Sequence, residues 1–196
     1  MNKVRQNLIW DPMVNLINKY VEKNFQHTTQ SILDLQKSLD PVLSNYLIDC
    51  NNNLPYGRYL VFSHKDGLFN IQIDVFSENY IGMIHSHSTW GILHVLKGKL
   101  YVEEWQEGEK NNYQLLGGLS LNEKSSQSFC PPISDWHKVW TSENKKQTVS
   151  IHIYGEGFDI DKGTYLNKKL EPVGSKRSKF KDINELLPYC KYIEKS

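Results

Sequence analysis

After Asn51-Asn52-Asn53 the sequence changes texture, and this change constrains the fold more than any other feature. RYLVFSH, LFNIQIDVF, ILHVLKG, LYVEEWQ, YQLLG, WHKVWT and TVSIHIY are short, rich in β-branched and aromatic residues, and often alternating. A period of two with that composition reads as strands. Lys65-Asp66-Gly67, Lys97-Gly98-Lys99, Glu107-Gly108-Glu109 and Gly117-Gly118 provide turns between them. Many short strands with frequent turns favour a barrel or a sandwich. Residues 1–50 read as helical instead. Asp11 and Pro12 take cap and first-turn positions, and Val14, Leu16, Ile17 and Val21 recur at helical spacing. Ile32, Leu33, Leu35, Leu39, Val42, Leu43 and Leu47 continue the pattern, with Pro41 expected to interrupt it.

A chain of 196 residues can bury one sizeable core, so one domain is expected over residues 1–196. It divides into a helical segment 1–50, a β-barrel 56–167 and a tail 168–196. In the tail, SKRSKFK reads as a solvated linker and DINELLPYCKYIEKS as a short last helix. Lys plus Arg number 23 against 22 Asp plus Glu, so no charge bias points to nucleic acid or to a membrane surface. No run reaches the about 18 apolar residues of a membrane span, and MNKVRQNLIWDPM lacks the apolar stretch of a signal peptide. The three cysteines, Cys50, Cys130 and Cys190, are odd in number and form no CxxC. They read as reduced thiols of a cytoplasmic protein.

HSHSTWG, residues 85–91, carries the strongest chemical signal. On a strand, His85 and His87 point to one face and Ser86 to the other. Gly82 precedes the pair, and Gly98-Lys99 closes the next strand in a tight turn. A His-x-His, a strand and a glycine in this order resemble the first motif of the cupins, with Gly91 standing where their carboxylate ligand usually sits. His137, in PPISDWHKVW, is followed by alternating Val139 and Thr141 and reads as a third inward-facing imidazole. Three neutral imidazoles suit iron, copper, nickel or zinc and do not select among them. His27, His64 and His94 read as core or surface histidines with no ligand role.

Two further stretches make the resemblance specific. In SIHIYGEGFD, Ser150, His152 and Tyr154 alternate along one strand, with Phe158 and Asp159 trailing. YGRYLVFSHKDGLFNIQI places Tyr56 and Arg58 at the head of another. Together with the histidines, these are similar to the thiol dioxygenases of the cupin superfamily, which include cysteine dioxygenase and 3-mercaptopropionate dioxygenase. The likeness runs from about Tyr56 to Asp159. It implies a mainly β, cupin-type double-stranded β-helix (jelly-roll) barrel with N-terminal helices.

The resemblance also implies an activity. Ferrous iron, Fe(2+), on His85, His87 and His137 would bind a small thiol-bearing acid and O2, and both oxygen atoms would end on sulfur. Tyr154, His152 and Ser150 would form a hydrogen-bonded catalytic chain, since imidazole has two distinct nitrogens and can orient a phenol. Arg58 would bind the substrate carboxylate with its fork, beside Tyr56, and an internal salt bridge is the other reading of Arg58. Gly91 stands where some members carry a cysteine cross-linked to the tyrosine, so Tyr154 is expected to stay unmodified. Arg58 resembles the cysteine-specific enzymes, whereas Thr89-Trp90-Gly91 resembles the mercaptopropionate group. Arg58 would touch substrate, so L-cysteine leads. A different three-histidine metal cupin, catalytic or merely binding, remains the alternative.

Overall fold

The computed structural model describes residues 3–22, 28–44, 47–50, 54–87, 89–109, 112–131, 136–142, 147–158, 162–167, 169–170, 172–176 and 179–193. His27 and Asp159 lie outside them. Two helices, α1 (Lys3–Val21) and α2 (Thr29–Leu43), precede β1 (Leu47–Cys50), β2 (Gly57–Ser63) and β3 (Phe69–Phe76). Then come β4 (His85–Ser86), β5 (Gly91–Lys97), β6 (Lys99–Glu107), β7 (Tyr113–Asn122), β8 (Ser126–Phe129), β9 (Trp136–Trp140) and β10 (Thr148–Gly155). β11 (Lys162–Leu166), β12 (Pro172–Lys176), β13 (Lys181–Asp182) and β14 (Cys190–Ile193) complete the chain.

One six-stranded sheet runs β13-β2-β3-β10-β5-β8 and the other β12-β11-β4-β9-β6-β7. Within them, β3-β10-β5-β8 and β4-β9-β6-β7 are the two four-stranded sheets of a double Greek key. This strand order is the jelly roll expected from the sequence. The helices cover the outer face of the first sheet, where Met13, Ile17, Leu35, Leu39 and Leu43 share a core with Ile71, Ile73, Val149, Ile151 and Ile153. Full burial of such side chains contributes about 1.5–3 kcal/mol each. Covered on that side, β3 and β10 are buried along their whole length. Their alternate residues Asn70, Gln72 and Asp74, and Ser150, His152 and Tyr154, therefore turn inward, between the sheets. The usual alternation is inverted here, with polar side chains inside.

Several boundaries differ from the expectation. The first helix begins at Lys3, and Pro12 lies inside it. Burial of Trp10, Met13 and Ile17 offsets the hydrogen bond that Pro12 cannot donate. Pro41 likewise does not interrupt α2, because it falls in the last turn and the Ser44 N–H closes the helix on the Asp40 carbonyl. Leu47 belongs to β1, not to a helix, and β1 pairs antiparallel with β14. The expected last helix is instead two short 3-10 turns, Ile183–Glu185 and Leu187–Tyr189, followed by β14. SKRSKFK is no free linker either: it contributes to β12, and Lys181 opens β13, parallel to β2. Among the described residues no helix is long and apolar enough to cross a membrane.

His94 faces the helices, away from the barrel interior. Ser126 Oγ lies 2.6 Å from His94 Nδ1 and donates to Asp40 of α2 in a short hydrogen bond. His94 Nε2 is buried and has no hydrogen-bond partner. A proton there would be an unpaired buried charge, so burial lowers the pKa to about 4, against a smaller opposing pull from Asp40. The unfolded chain takes up this proton near pH 6.5. Stability should therefore be fully present above pH 6.5 and fall as pH drops toward 4, by up to about 3 kcal/mol at about 1.36 kcal/mol per unit. Chemical denaturation of the metal-free protein across this range should show that acid limb flattened in His94→Gln. Parallel limbs in both proteins would remove His94 from the effect.

Candidate functional site

His85 sits on β4 and pairs in register with His137 on β9, so the sheet itself sets two of the three imidazoles side by side. His87 follows β4 by one residue and is buried, as is His137. The segment carrying His87 is tied to the end of β10. The Gly155 N–H donates to the Trp90 carbonyl at 3.0 Å, and Thr89 Oγ1 donates to the Glu156 carbonyl at 2.7 Å. Trp90 seats its indole directly over Gly155, where a Cβ would fall 2.0 Å from Trp90 Nε1. Only glycine leaves room for that ring.

One ligand atom from each of His85, His87 and His137 lies within 4.8 Å of the others. A metal ion with imidazole bonds of about 2.1 Å would draw the three nitrogens closer together than that spacing. His85 Nδ1 lies 2.9 Å from the Met83 carbonyl, which can only accept. The proton therefore resides on Nδ1, and Nε2 keeps its lone pair for a metal. The ring stacks on Tyr165, with centroids 5.5 Å apart. Donor set and spacing fit a metal ion held by three neutral imidazoles. The fit does not depend on which metal.

Facing the histidines from the opposite sheet, β10 presents a hydrogen-bonded chain. Ser150 Oγ lies 2.7 Å from His152 Nε2, and His152 Nδ1 lies 3.2 Å from Tyr154 Oη. Tyr154 Oη then reaches to 3.4 Å from His87 Nε2. The three members are buried. Stacking on Phe158, with centroids 4.0 Å apart and planes within 10°, holds the Tyr154 ring. Gly91 pairs with Tyr154 on one side and Phe129 on the other. A Cβ at Gly91 would collide with the Phe129 ring at 2.1 Å, so the ring fills the space that a side chain would need.

A cavity of about 400 Å³ opens onto the three histidines and Tyr154. Arg58, Gln72 and Asp74 line one side of it, and Tyr56 and Tyr80 stand at another. Arg58 donates from Nη2 to Gln72 Oε1 at 2.9 Å, and its Nε lies 3.8 Å from Asp74 Oδ1. Asp74 is the cross-strand partner of Arg58 in the β2–β3 register. The internal salt bridge, the second reading of Arg58, is thus present, although the residue also faces the cavity. Burial of Tyr80 pushes its phenol up to about 12, and the same cause raises Tyr56, which is 51% exposed. Both stay protonated donors at neutral pH.

All residues expected at the site from sequence meet around this one cavity, with Ser150 reaching it through His152. Gln72, Asp74, Tyr80, Lys179 and Lys181 also line it and were not expected there. For Gln72 and Asp74 a signal exists: N-x-Q-x-D alternates through an otherwise apolar strand.

No protein-family model matches this chain. Among solved structures, KdgF from Halomonas sp. is 18% identical, over 52% of this chain and 79% of that one, with a TM-score of 0.40. A hydroquinone 1,2-dioxygenase from Sphingomonas sp. TTNP3 is 11% identical, over 54% and 69%, with a TM-score of 0.42. A cupin superfamily protein from Desulfitobacterium hafniense is 10% identical, over 56% and 84%, with a TM-score of 0.40. The fold assignment rests on the strand order. This is a jelly-roll barrel with a three-histidine cavity.

Proposed function

We propose that the protein is a mononuclear non-haem iron thiol dioxygenase that converts a small thiol-bearing acid, with L-cysteine the leading substrate, to its sulfinic acid. The observation that carries this reading is the Ser150–His152–Tyr154 chain ending beside His87 at an open cavity. A passive binding site has no need of a phenol whose proton is relayed through two further groups. His85, His87 and His137 would hold ferrous iron, which when bound offers open positions for a thiolate and O2 and lowers the pKa of the thiol. Tyr154 holds a proton at Oη, orients it through His152 and Ser150, and is placed to donate it to an anionic sulfur or oxygen atom in the cavity. Arg58, held by Gln72 and Asp74 at the cavity wall, would bind the acid group through its remaining N–H groups. Phe129 and Phe158 keep water from the far side of the Tyr154 ring.

In the net reaction a thiolate sulfur takes both atoms of O2. Dioxygen accepts the electrons that sulfur loses, so no external reductant or organic cofactor is required. Ferrous iron and the buried thiol of Cys130 suit a reducing compartment, the cytoplasm. The reading is tested by oxygen uptake of the iron-loaded protein against L-cysteine, 3-mercaptopropionate and cysteamine, with product mass. A sulfinate, two oxygen atoms heavier than the thiol, is the expected product. Metal binding without sulfinate from any thiol would leave a three-histidine metal cupin of other chemistry.

A further inference from the structure

The jelly roll alone does not complete the cavity wall. Lys179 and Lys181 also line it, from the segment that leads into β13. β13 adds to the sheet edge by pairing with β2 at Tyr59 and Leu60. Between the two lysines, Phe180 lays its ring against Arg58, with Cζ 4.7 Å from the ring centroid. Lys181 is anchored. Its Nζ donates to the Tyr56 carbonyl at 2.6 Å, and its stem runs against Gly57, where a Cβ would come within 2.9 Å of Lys181 Cε. Gly57 has φ +151°, a conformation that other residues rarely adopt, and it leaves room for the lysine stem. Lys179 is exposed at the cavity rim.

The charge balance of this cavity is one-sided. Its lining holds Arg58, Lys179 and Lys181 against the single carboxylate of Asp74. Asp74 is already placed on Arg58 and also lies 3.8 Å from His152 Nε2. Among the described residues neither lysine lies within ion-pair distance of a carboxylate. Arg58 therefore offers direction but little surplus charge, and an acid docking there competes with Asp74. The unneutralised positive charge comes from the lysines. A cleft lined by one sign of charge concentrates ligands of the other.

We infer that Lys179 selects for the acid group of the substrate, and that the segment 179–181 is a wall of the substrate site. This rests on the thiol-acid reading above and adds a residue to it. Lys181, held by the Tyr56 carbonyl, adds to the same field, and Phe180 keeps the Arg58 guanidinium from swinging outward.

The test compares 3-mercaptopropionate with its neutral amide on wild type, Lys179→Met and Lys179→Glu. Binding is read by calorimetry on anaerobic protein supplied with ferrous iron, and KM is read separately in air. Wild type should prefer the acid, and added salt should shrink that preference, because rim charges are screened. Lys179→Met should weaken acid binding and raise its KM about fivefold, the scale of one solvent-screened ion pair. Lys179→Glu should weaken it further, while the amide barely changes in either variant. Equal shifts for acid and amide, unchanged acid affinity in Lys179→Met, or no acid preference in wild type would each overturn the inference. Absence of sulfinate with a Lys179-dependent acid preference would instead retain this wall and reject the dioxygenase.

Discussion

His137→Ala is expected to purify with almost no metal, and to bind added ferrous iron more than about 100-fold more weakly than wild type. The threshold follows from outer-shell partners, whose loss alone reduces affinity about 10- to 100-fold; a direct ligand should exceed it. Register pairing makes His137 the neighbour of His85, so its loss leaves only two imidazoles of the described cluster to hold the ion. His85→Ala and His87→Ala should behave alike. His94→Ala is the matched control, because His94 lies on the helix-facing side of β5 with Ser126 and Asp40. It should lose stability and keep metal. Metal analysis with a competing chelator decides the matter, and stoichiometric iron in His137→Ala would reject the cluster as drawn.

Tyr154→Phe should form sulfinate about 10²- to 10⁴-fold more slowly, the range of a positioned proton donor. The substitution keeps the ring, so stacking on Phe158 and packing on Phe129 persist and the fold should be nearly unchanged. Iron content should also persist, since the phenol lies outside the histidine cluster. Single-turnover sulfinate formation, followed alongside iron content and thermal melting, separates these outcomes. Wild-type activity in Tyr154→Phe would remove the chain from the mechanism. The intact mass of the wild-type protein should equal that of the unmodified chain, because Gly91 carries no sulfur beside Tyr154 and Phe129 occupies the adjacent space.

The parts of this site that were legible in the sequence are those governed by local periodicity. His85 with His87, and Ser150 with His152 and Tyr154, share faces because strand geometry repeats every two residues. The partner of Arg58 was not legible in the same way. Asp74 is its neighbour only through the β2–β3 register, and a strand pattern states a face without naming what lies across from it. His94 shows the same limit: its parity was visible, but which side of β5 the helices cover was not. Pro12 and Pro41 misled because propensity is a weak prior against the burial of Met13, Ile17, Leu39 and Leu43. In the tail, LLPYCKYI carries apolar residues at spacings that fit a helix as well as a strand. Pairing with β1, a long-range contact, decided for the strand.

The pairing of β3 with β10 sets Tyr154 opposite Asn70, two residues from distant parts of the chain. Contacts of such long sequence separation close late, and a chain rich in them folds slowly. His85 and His87, by contrast, are neighbours before any folding has occurred. Ions present during refolding would meet this ready-made pair in the open chain long before His137 arrives. Any affinity for the unfolded state subtracts from what binding gives the folded one, and stray third donors such as His64 or Cys130 could then be recruited into wrong loops. Reconstitution should therefore succeed best when the chain is folded under chelator and iron is supplied afterwards, to a barrel that has already brought β4 and β9 together.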